Sequence, residues 1–302
     1  MKYSIFKLEF STGVHFGKGL LNDSQDTFTA DILFSALYIE ALKNGMQDVF
    51  YQEIKEENLL FSDALPYVGK QYLLPKPCVY VEHARQGDSE EKKKFKKMKY
   101  LPVEKLDDYL AGTLNPDQNP MNEFGKFEQR TLTSVRREED TLPYRVGVFR
   151  YQKGNGLYVL AAGKEERQLG LLEELLEMLS YTGIGGKKSD GLGKFTLKHG
   201  TGTELLLNRL QKKTGRYMLL SSALPRDEEL DAVLEGASYL LDKHSGFIFS
   251  DHYADEIRKK KDLYMFSAGS CFLRPFHGDI FDVSEGGRHP VYRYGKSFFL
   301  EV

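Results

Sequence analysis

Residues Gly183 to Phe195 read Gly-Ile-Gly-Gly-Lys-Lys-Ser-Asp-Gly-Leu-Gly-Lys-Phe: five glycines, three lysines, a serine and an aspartate in thirteen positions. Glycine lets one backbone approach another and present its N–H groups, and lysine adds positive charge. A surface that lies against phosphate needs both. A plain surface turn has the same composition, so the stretch alone leaves two readings open. Nucleotide-enzyme motifs do not fit it. A P-loop requires Gly-x-x-x-x-Gly-Lys-Ser/Thr; counting from Gly183 puts Lys188 at the second glycine, and counting from Gly186 puts Leu192 at the lysine. The dinucleotide fingerprint fails at Lys188, and both motifs run strand, loop, helix.

A second chemical candidate is His15, in Gly13-Val-His-Phe16-Gly17-Lys18. Cleavage at a ribose 2′-OH needs an acid or base within reach and usually a second polar group. No partner histidine or tyrosine stands out beside His15. Catalysis, RNA contact and a structural role are its three readings. Arg136, Arg137, Arg145 and Arg150 flank a strand-like run, with Pro143-Tyr144 beside them. Guanidinium groups suit phosphates and stacking, and a solvated face is the plainer reading. Ser270 to Gly278 places Arg274 and His277 in a loop among aromatic residues. The seven histidines show no metal-ligand spacing, and no Ser/His/Asp arrangement emerges, so no metal and no cofactor is expected.

These residues need elements to hold them. Leu172, Leu175, Leu176 and Leu179 share one helix face over Leu169–Tyr181, and Phe195-Thr-Leu-Lys continues as a strand. The glycine loop therefore joins helix to strand. Tyr3–Phe10 alternates as a first strand. Ile32–Leu42 reads as a buried helix capped by Thr29 or Asp31, and Asn44-Gly45 ends it. Short strands are expected at Leu59–Ser62 and Tyr72–Leu74. From Pro75 to Pro143 the apolar signal weakens into an insertion, with a short helix near Val103–Leu110 and the basic run Lys92–Lys99. Tyr144–Tyr151 and Gly156–Ala162 read as a hairpin about Gly154-Asn155. Beyond Gly202, strands are expected at 217–221, 246–250, 263–267, 270–273 and 291–294, with one helix over Glu228–Leu241. The fold class is α+β with antiparallel sheets.

At 302 residues two domains are the natural division, here 1–201, with an insertion about 76–143, and 202–302. The net charge of −2 hides the basic run and acidic stretches at Asp227–Asp231 and Asp251–Glu256. Cys78 and Cys271 lie far apart, which fits a reducing cytoplasm, and no apolar run is long enough to span a membrane.

Taken together, Gly13–Gly17, Ala30-Asp-Ile-Leu-Phe-Ser-Ala-Leu37, Leu142-Pro-Tyr-Arg-Val-Gly147 and Gly183–Lys194 resemble the RAMP superfamily of CRISPR-associated proteins. Within it, Ala30–Leu37 with Pro143–Gly147 narrows the likeness to the fourth-subunit family of the type III-A Csm interference complex. The resemblance runs over nearly the whole chain. It implies two ferredoxin-like (RRM-like) domains and a subunit without enzymatic activity. Such a subunit grips the 5′ repeat-derived tag of the guide RNA and meets target RNA only indirectly. It docks the large polymerase-like subunit and the first backbone subunit, in antiviral defence. The implied RNA contacts are His15, Phe16, Gly17, Lys18, Arg137, Tyr144, Arg145, Gly183, Gly185, Gly186, Lys187, Lys188, Ser189, Gly191, Gly193, Lys194, Arg274 and His277. The alternatives are a metal-independent endoribonuclease of the same superfamily, with His15 as acid/base, and a pure interaction protein. The basic insertion at Lys92–Lys99 departs from simpler relatives, so its role transfers least: a solvated helix face is the plainer reading, and a track for the guide or the target strand is the other.

Overall fold

Lys2–Phe10 forms the first strand, β1, and its alternation assigns its two faces. Phe6, Leu8 and Phe10 pack into one apolar cluster, and Tyr3 and Ile5 into a second. A computed structural model describes residues 1–17, 19–82, 89–134 and 142–302. After β1 come α1 (Ala30–Lys43), α2 (Gln47–Lys55), β2 (Leu59–Phe61), β3 (Leu65–Val68) and β4 (Gln71–Pro75). The insertion holds α3 (Ser89–Lys97), β5 (Tyr100–Pro102), α4 (Leu106–Leu110) and β6 (Gly125–Ser134). Then follow β7 (Leu142–Tyr151), β8 (Asn155–Gly163), α5 (Glu166–Thr182) and β9 (Phe195–His199).

The main sheet runs β5-β4-β3-β8-β1-β9, with β2 also on β8, and its pairs are antiparallel. Every residue of β8 is buried. Leu157, Val159 and Ala161 face the first cluster, and Tyr158, Leu160 and Ala162 face the second. A strand covered on both faces reads as a continuous apolar run, which is why no alternation marks it in the sequence. α5 closes one face with Leu169, Leu172, Leu175, Leu176 and Leu179. The Glu165 N–H donates to Gln168 Oε1 at 3.0 Å in a capping box, and Gly183, at φ +81°, ends the helix.

The expected hairpin about Gly154-Asn155 does not form. β7 pairs over ten positions with β6, and β8 pairs with β1 in the main sheet. The turn signal is real, but a strand's partner depends on tertiary packing.

The second half comprises α6 (Glu204–Gln211), β10 (Tyr217–Leu219), α7 (Asp227–Leu234), β11 (Leu241–His244), β12 (Leu263–Phe266), β13 (Cys271–Phe272), β14 (Ile280–Asp282), β15 (Tyr292–Tyr294) and β16 (Phe299–Glu301). It forms a three-stranded sheet, β13-β10-β16, and the ribbons β11-β12 and β14-β15. The strand expected at 246–250 is absent; only an isolated bridge joins Phe247 to Lys259. α7 is shorter than expected, and α6 was not expected.

The halves share their cores. Leu206, Leu210, Met218, Leu220 and Leu300 pack with Ile5, Leu65 and Tyr158. The Tyr294 ring stacks on Phe61 at 4.6 Å. Carboxylates join the halves where α1 begins. Thr29 precedes the helix, but its hydroxyl donates to Asp31 rather than accepting a helix N–H. Asp63 does that work from a distance: its Oδ1 accepts the N–H of Ala30 at 2.7 Å and the N–H of Ser222 at 2.7 Å, and Oδ2 accepts the Ser222 hydroxyl at 3.0 Å. Beside it, Asp31 Oδ2 accepts from Arg293 Nη1 at 2.5 Å and lies 3.0 Å from His244 Nδ1.

Burial pushes the Asp63 carboxyl up to about 6, against the pull of those N–H donors. An acid raised on folding binds protons more tightly in the native state, so its burial costs stability as pH rises from about 4 through about 6. Asp63→Asn keeps an acceptor for the N–H groups and removes the titration. Its stability relative to the parent should improve by roughly 2–3 kcal/mol between pH 4 and pH 7. Denaturant melts across that range check this, and a pH-independent difference would sink it.

Candidate nucleic-acid interface

Three segments meet beyond the end of β1. Val14 bridges to Phe149 of β7, donating at 2.8 Å and accepting at 2.9 Å. On its other side the same segment holds the glycine loop: the Gly193 N–H donates to Gly13 O at 3.0 Å, and the Gly186 N–H donates to His15 O at 2.9 Å. Residues 13–16 are thus sandwiched between β7 and the loop. Two glycines make this approach possible. A Cβ on Gly185 would lie 2.7 Å from the His15 carbonyl oxygen, and one on Gly193 would lie 2.0 Å from that of Ile184. Both residues have positive φ, +96° and +79°.

The loop is a braced structure rather than a slack turn. Its neck closes where the Ile184 N–H donates to Gly193 O at 3.0 Å. A tight turn over Lys188–Asp190 follows Lys187, a non-glycine residue at φ +58°. Lys187 is held there by its side chain: Nζ donates to Tyr144 Oη at 3.0 Å and lies 4.7 Å from that ring's centre. Leu192, the apolar residue between the last two glycines, is buried against Val146 and Val148, with Leu132 and Tyr144 packed alongside. What remains outward is Ser189, Asp190 and Lys194, with Lys188 half-buried. Burial, then the charge of Lys43, lowers the Lys188 pKa, and Glu40 opposes this.

His15 is walled in, at 7% exposure. Its Nδ1 lies 2.7 Å from Gly147 O, which only accepts, so Nδ1 carries the proton. Gly186 and Gly17 cover the rest of the ring, since a Cβ on either would come within 3.2 Å of it. The imidazole therefore ties β7 to both glycine segments.

A family model described as the CRISPR Csm4 C-terminal domain matches residues 212–302. The Csm4 protein of Mycobacterium tuberculosis (strain ATCC 25618 / H37Rv) is 39% identical over 307 residues, covering 100% of this chain and 98% of its own. The chain belongs to the Csm4 family. Csm4 of Streptococcus thermophilus is 36% identical, with 100% and 99% of the two chains covered. The fold is likewise that of solved Csm4-family structures. A chain of a Csm3-Csm4 subcomplex of the type III-A CRISPR-Cas interference complex superposes with a TM-score of 0.67 at 18% identity, covering 100% of this chain and 99% of its own. A chain of a Csm1-Csm4 cassette in complex with AMPPNP gives 0.58 at 19%, covering 100% and 98%.

In this Csm4-family chain the structure sorts the expected contact residues. His15, Gly17, Tyr144 and the glycine loop come together, and Arg145 is exposed on β7 beside Tyr144 in sequence. Phe16 is corrected: its ring is 3% exposed and packs edge-on against Phe28 in the core, so it cannot stack on a base. Lys18 and Arg137 lie outside the described residues. Arg150 pairs with Glu128 at 3.4 Å. Arg274 and His277 point to other partners, Glu235 at 3.4 Å and Glu57 at 2.7 Å, which belong to none of the three segments. Leu192, Val146, Gly147 and Val148 are not among the expected contact residues, although the first three lie inside the motifs that carry the resemblance. The signal was a single leucine between glycines and a short Val-Gly-Val alternation. Among the described residues no group of three or more His, Cys, Asp or Glu is placed to hold a metal ion, and no helix is long and apolar enough to cross a membrane.

Proposed function

We propose that this chain is the non-catalytic guide-RNA-binding subunit of a type III-A Csm effector complex. It grips the 5′ repeat-derived tag and docks the large polymerase-like subunit and the first backbone subunit. The carrying observation is the braced glycine loop, which holds Lys187, Lys188, Ser189 and Lys194 on a fixed frame against β7. A preformed loop contacts phosphates without a large ordering cost. Partners of this kind are supported by the solved assemblies of relatives, which pair Csm4 with Csm3 and with Csm1. The order β9-β1-β8-β3, with α1 and α5 crossing between strands, supports a ferredoxin-like first domain over 1–201, and we keep 202–302 as its smaller counterpart. The enclosed His15 ring favours a brace over an acid/base group.

The test is salt-dependent binding of tagged guide RNA, with and without the large subunit, in EDTA. Replacing Lys187, Lys188 and Lys194 with glutamine should flatten the slope of log affinity against log salt by about 2, at roughly 0.7 per single-strand phosphate contact. An unchanged slope would leave a loop that only packs against protein. A discrete product lost in His15→Ala would turn the reading to a ribonuclease.

A further inference from the structure

The basic insertion, which the glycine loop leaves unexplained, forms one wall of a concavity of about 370 Å³. Its lining includes Tyr80, Phe95 and Tyr109 together with Lys76 and Lys96. The floor is fixed. Lys76 donates its N–H to Lys99 O at 2.8 Å and its Nζ to Phe95 O at 2.6 Å, which pins α3 to the end of β4. Tyr109 is buried and donates to Pro77 O at 3.2 Å. α3 is seated through half-buried Phe95 and buried Met98. Its Lys92, Lys93, Lys96 and Lys97 stay exposed. At the rim Tyr80 is 92% exposed, an unusual position for an aromatic ring.

We propose that this concavity is a second nucleic-acid contact, which takes a base of single-stranded RNA on the Tyr80 ring while the α3 lysines hold the flanking phosphates. Single-strand binding combines stacking platforms with a positively charged track, and both stand here within one small surface. Charge complementarity selects the occupant. Lys76 and Lys96 in the lining with an open aromatic ring, and exposed Lys92, Lys93 and Lys97 along the same helix as Lys96, suit a polyanion with π faces. The inference does not depend on the glycine loop touching RNA.

The full chain is titrated with a labelled oligouridylate. Tyr80→Ala should weaken binding about 5- to 100-fold, and Tyr80→Phe should retain it. Glutamine at Lys92, Lys93, Lys96 and Lys97 should flatten the salt slope by about 3. These side chains are exposed, so the fold is kept. Loss only in the Lys187/Lys188/Lys194 variant overturns the concavity and leaves the loop reading standing; loss only in the Tyr80 and α3 variants does the reverse. In the assembled complex, 4-thiouridine in the guide or in the target distinguishes the RNA's source. A crosslink to the Tyr80 peptide from either strand supports the site and names the strand. A crosslink from neither, or loss of a protein subunit in place of RNA, overturns it in favour of a protein-docking face.

Discussion

Asp31→Asn is expected to lower the unfolding free energy at neutral pH by roughly 3–5 kcal/mol, the usual cost of stranding a buried charge by removing its partner. Asp31 is 5% exposed at the first turn of α1, and Arg293 and His244 reach it from the second half. Burial alone would raise its carboxyl. The His244 hydrogen bond and the charges of His244 and Arg293 outweigh burial and hold the pKa well below the usual carboxylate range. Its stabilising contribution is therefore present above about pH 4 and is lost on acidification. His244 moves the other way: burial lowers it, but Asp31 raises it further. Its contribution is complete below about pH 6.5 and is lost as pH rises through the folded value. Chemical denaturation of Asp31→Asn across pH reads both limbs. A loss under 1 kcal/mol at pH 7 would show that water, not Asp31, neutralises the two cations.

Gly193→Ala should be the most damaging single change in the loop, costing about 2 kcal/mol or more and lowering guide-RNA affinity together with stability. Alanine at φ +79° is strained, and its methyl carbon would meet the Ile184 carbonyl at 2.0 Å, where nothing but backbone can yield. Moving Gly193 breaks both its donation to Gly13 and its acceptance from Ile184. Leu192 would then be pulled from Val146 and Val148. Gly191→Ala is the control: its φ of +81° nearly equals that of Gly193, but no atom lies within 4 Å of the new carbon, so it carries backbone strain alone. Equal losses in the two variants would show that close approach is not what Gly193 provides. Thermal melts and guide-RNA titration measure both.

Much of this was legible in the residues. The leucine spacing of α5 and the alternation of β1 are local signals, and both elements fall where the pattern puts them. The glycine density of 183–194 announced a close backbone approach, though not against what. Residue 147 shows why partners stay hidden. A glycine there reads as a break in a strand, but its oxygen holds the His15 ring and its N–H donates to Leu21 O at 2.9 Å. The β6–β7 pairing likewise depends on residues whose own pattern is weak, and it displaced the hairpin that Gly154-Asn155 suggests. Phe16, an RNA contact only by the family resemblance, carries no local signal of burial, and Phe10 and Phe28 enclose its ring. The α1 cap was invisible locally, since Asp63 lies far along the chain from Ala30.

The cores shared between the two halves bear on how the protein is made. As synthesis proceeds, residues of the first half leave the ribosome before Tyr294 exists to cover Phe61 and before Leu220 and Leu300 exist to cover Leu65. The nascent first half therefore carries open apolar surface until the last strand emerges. Emergence of β15 and β16, rather than folding of the first half, becomes the moment at which the shared cores close and the subunit is ready to assemble.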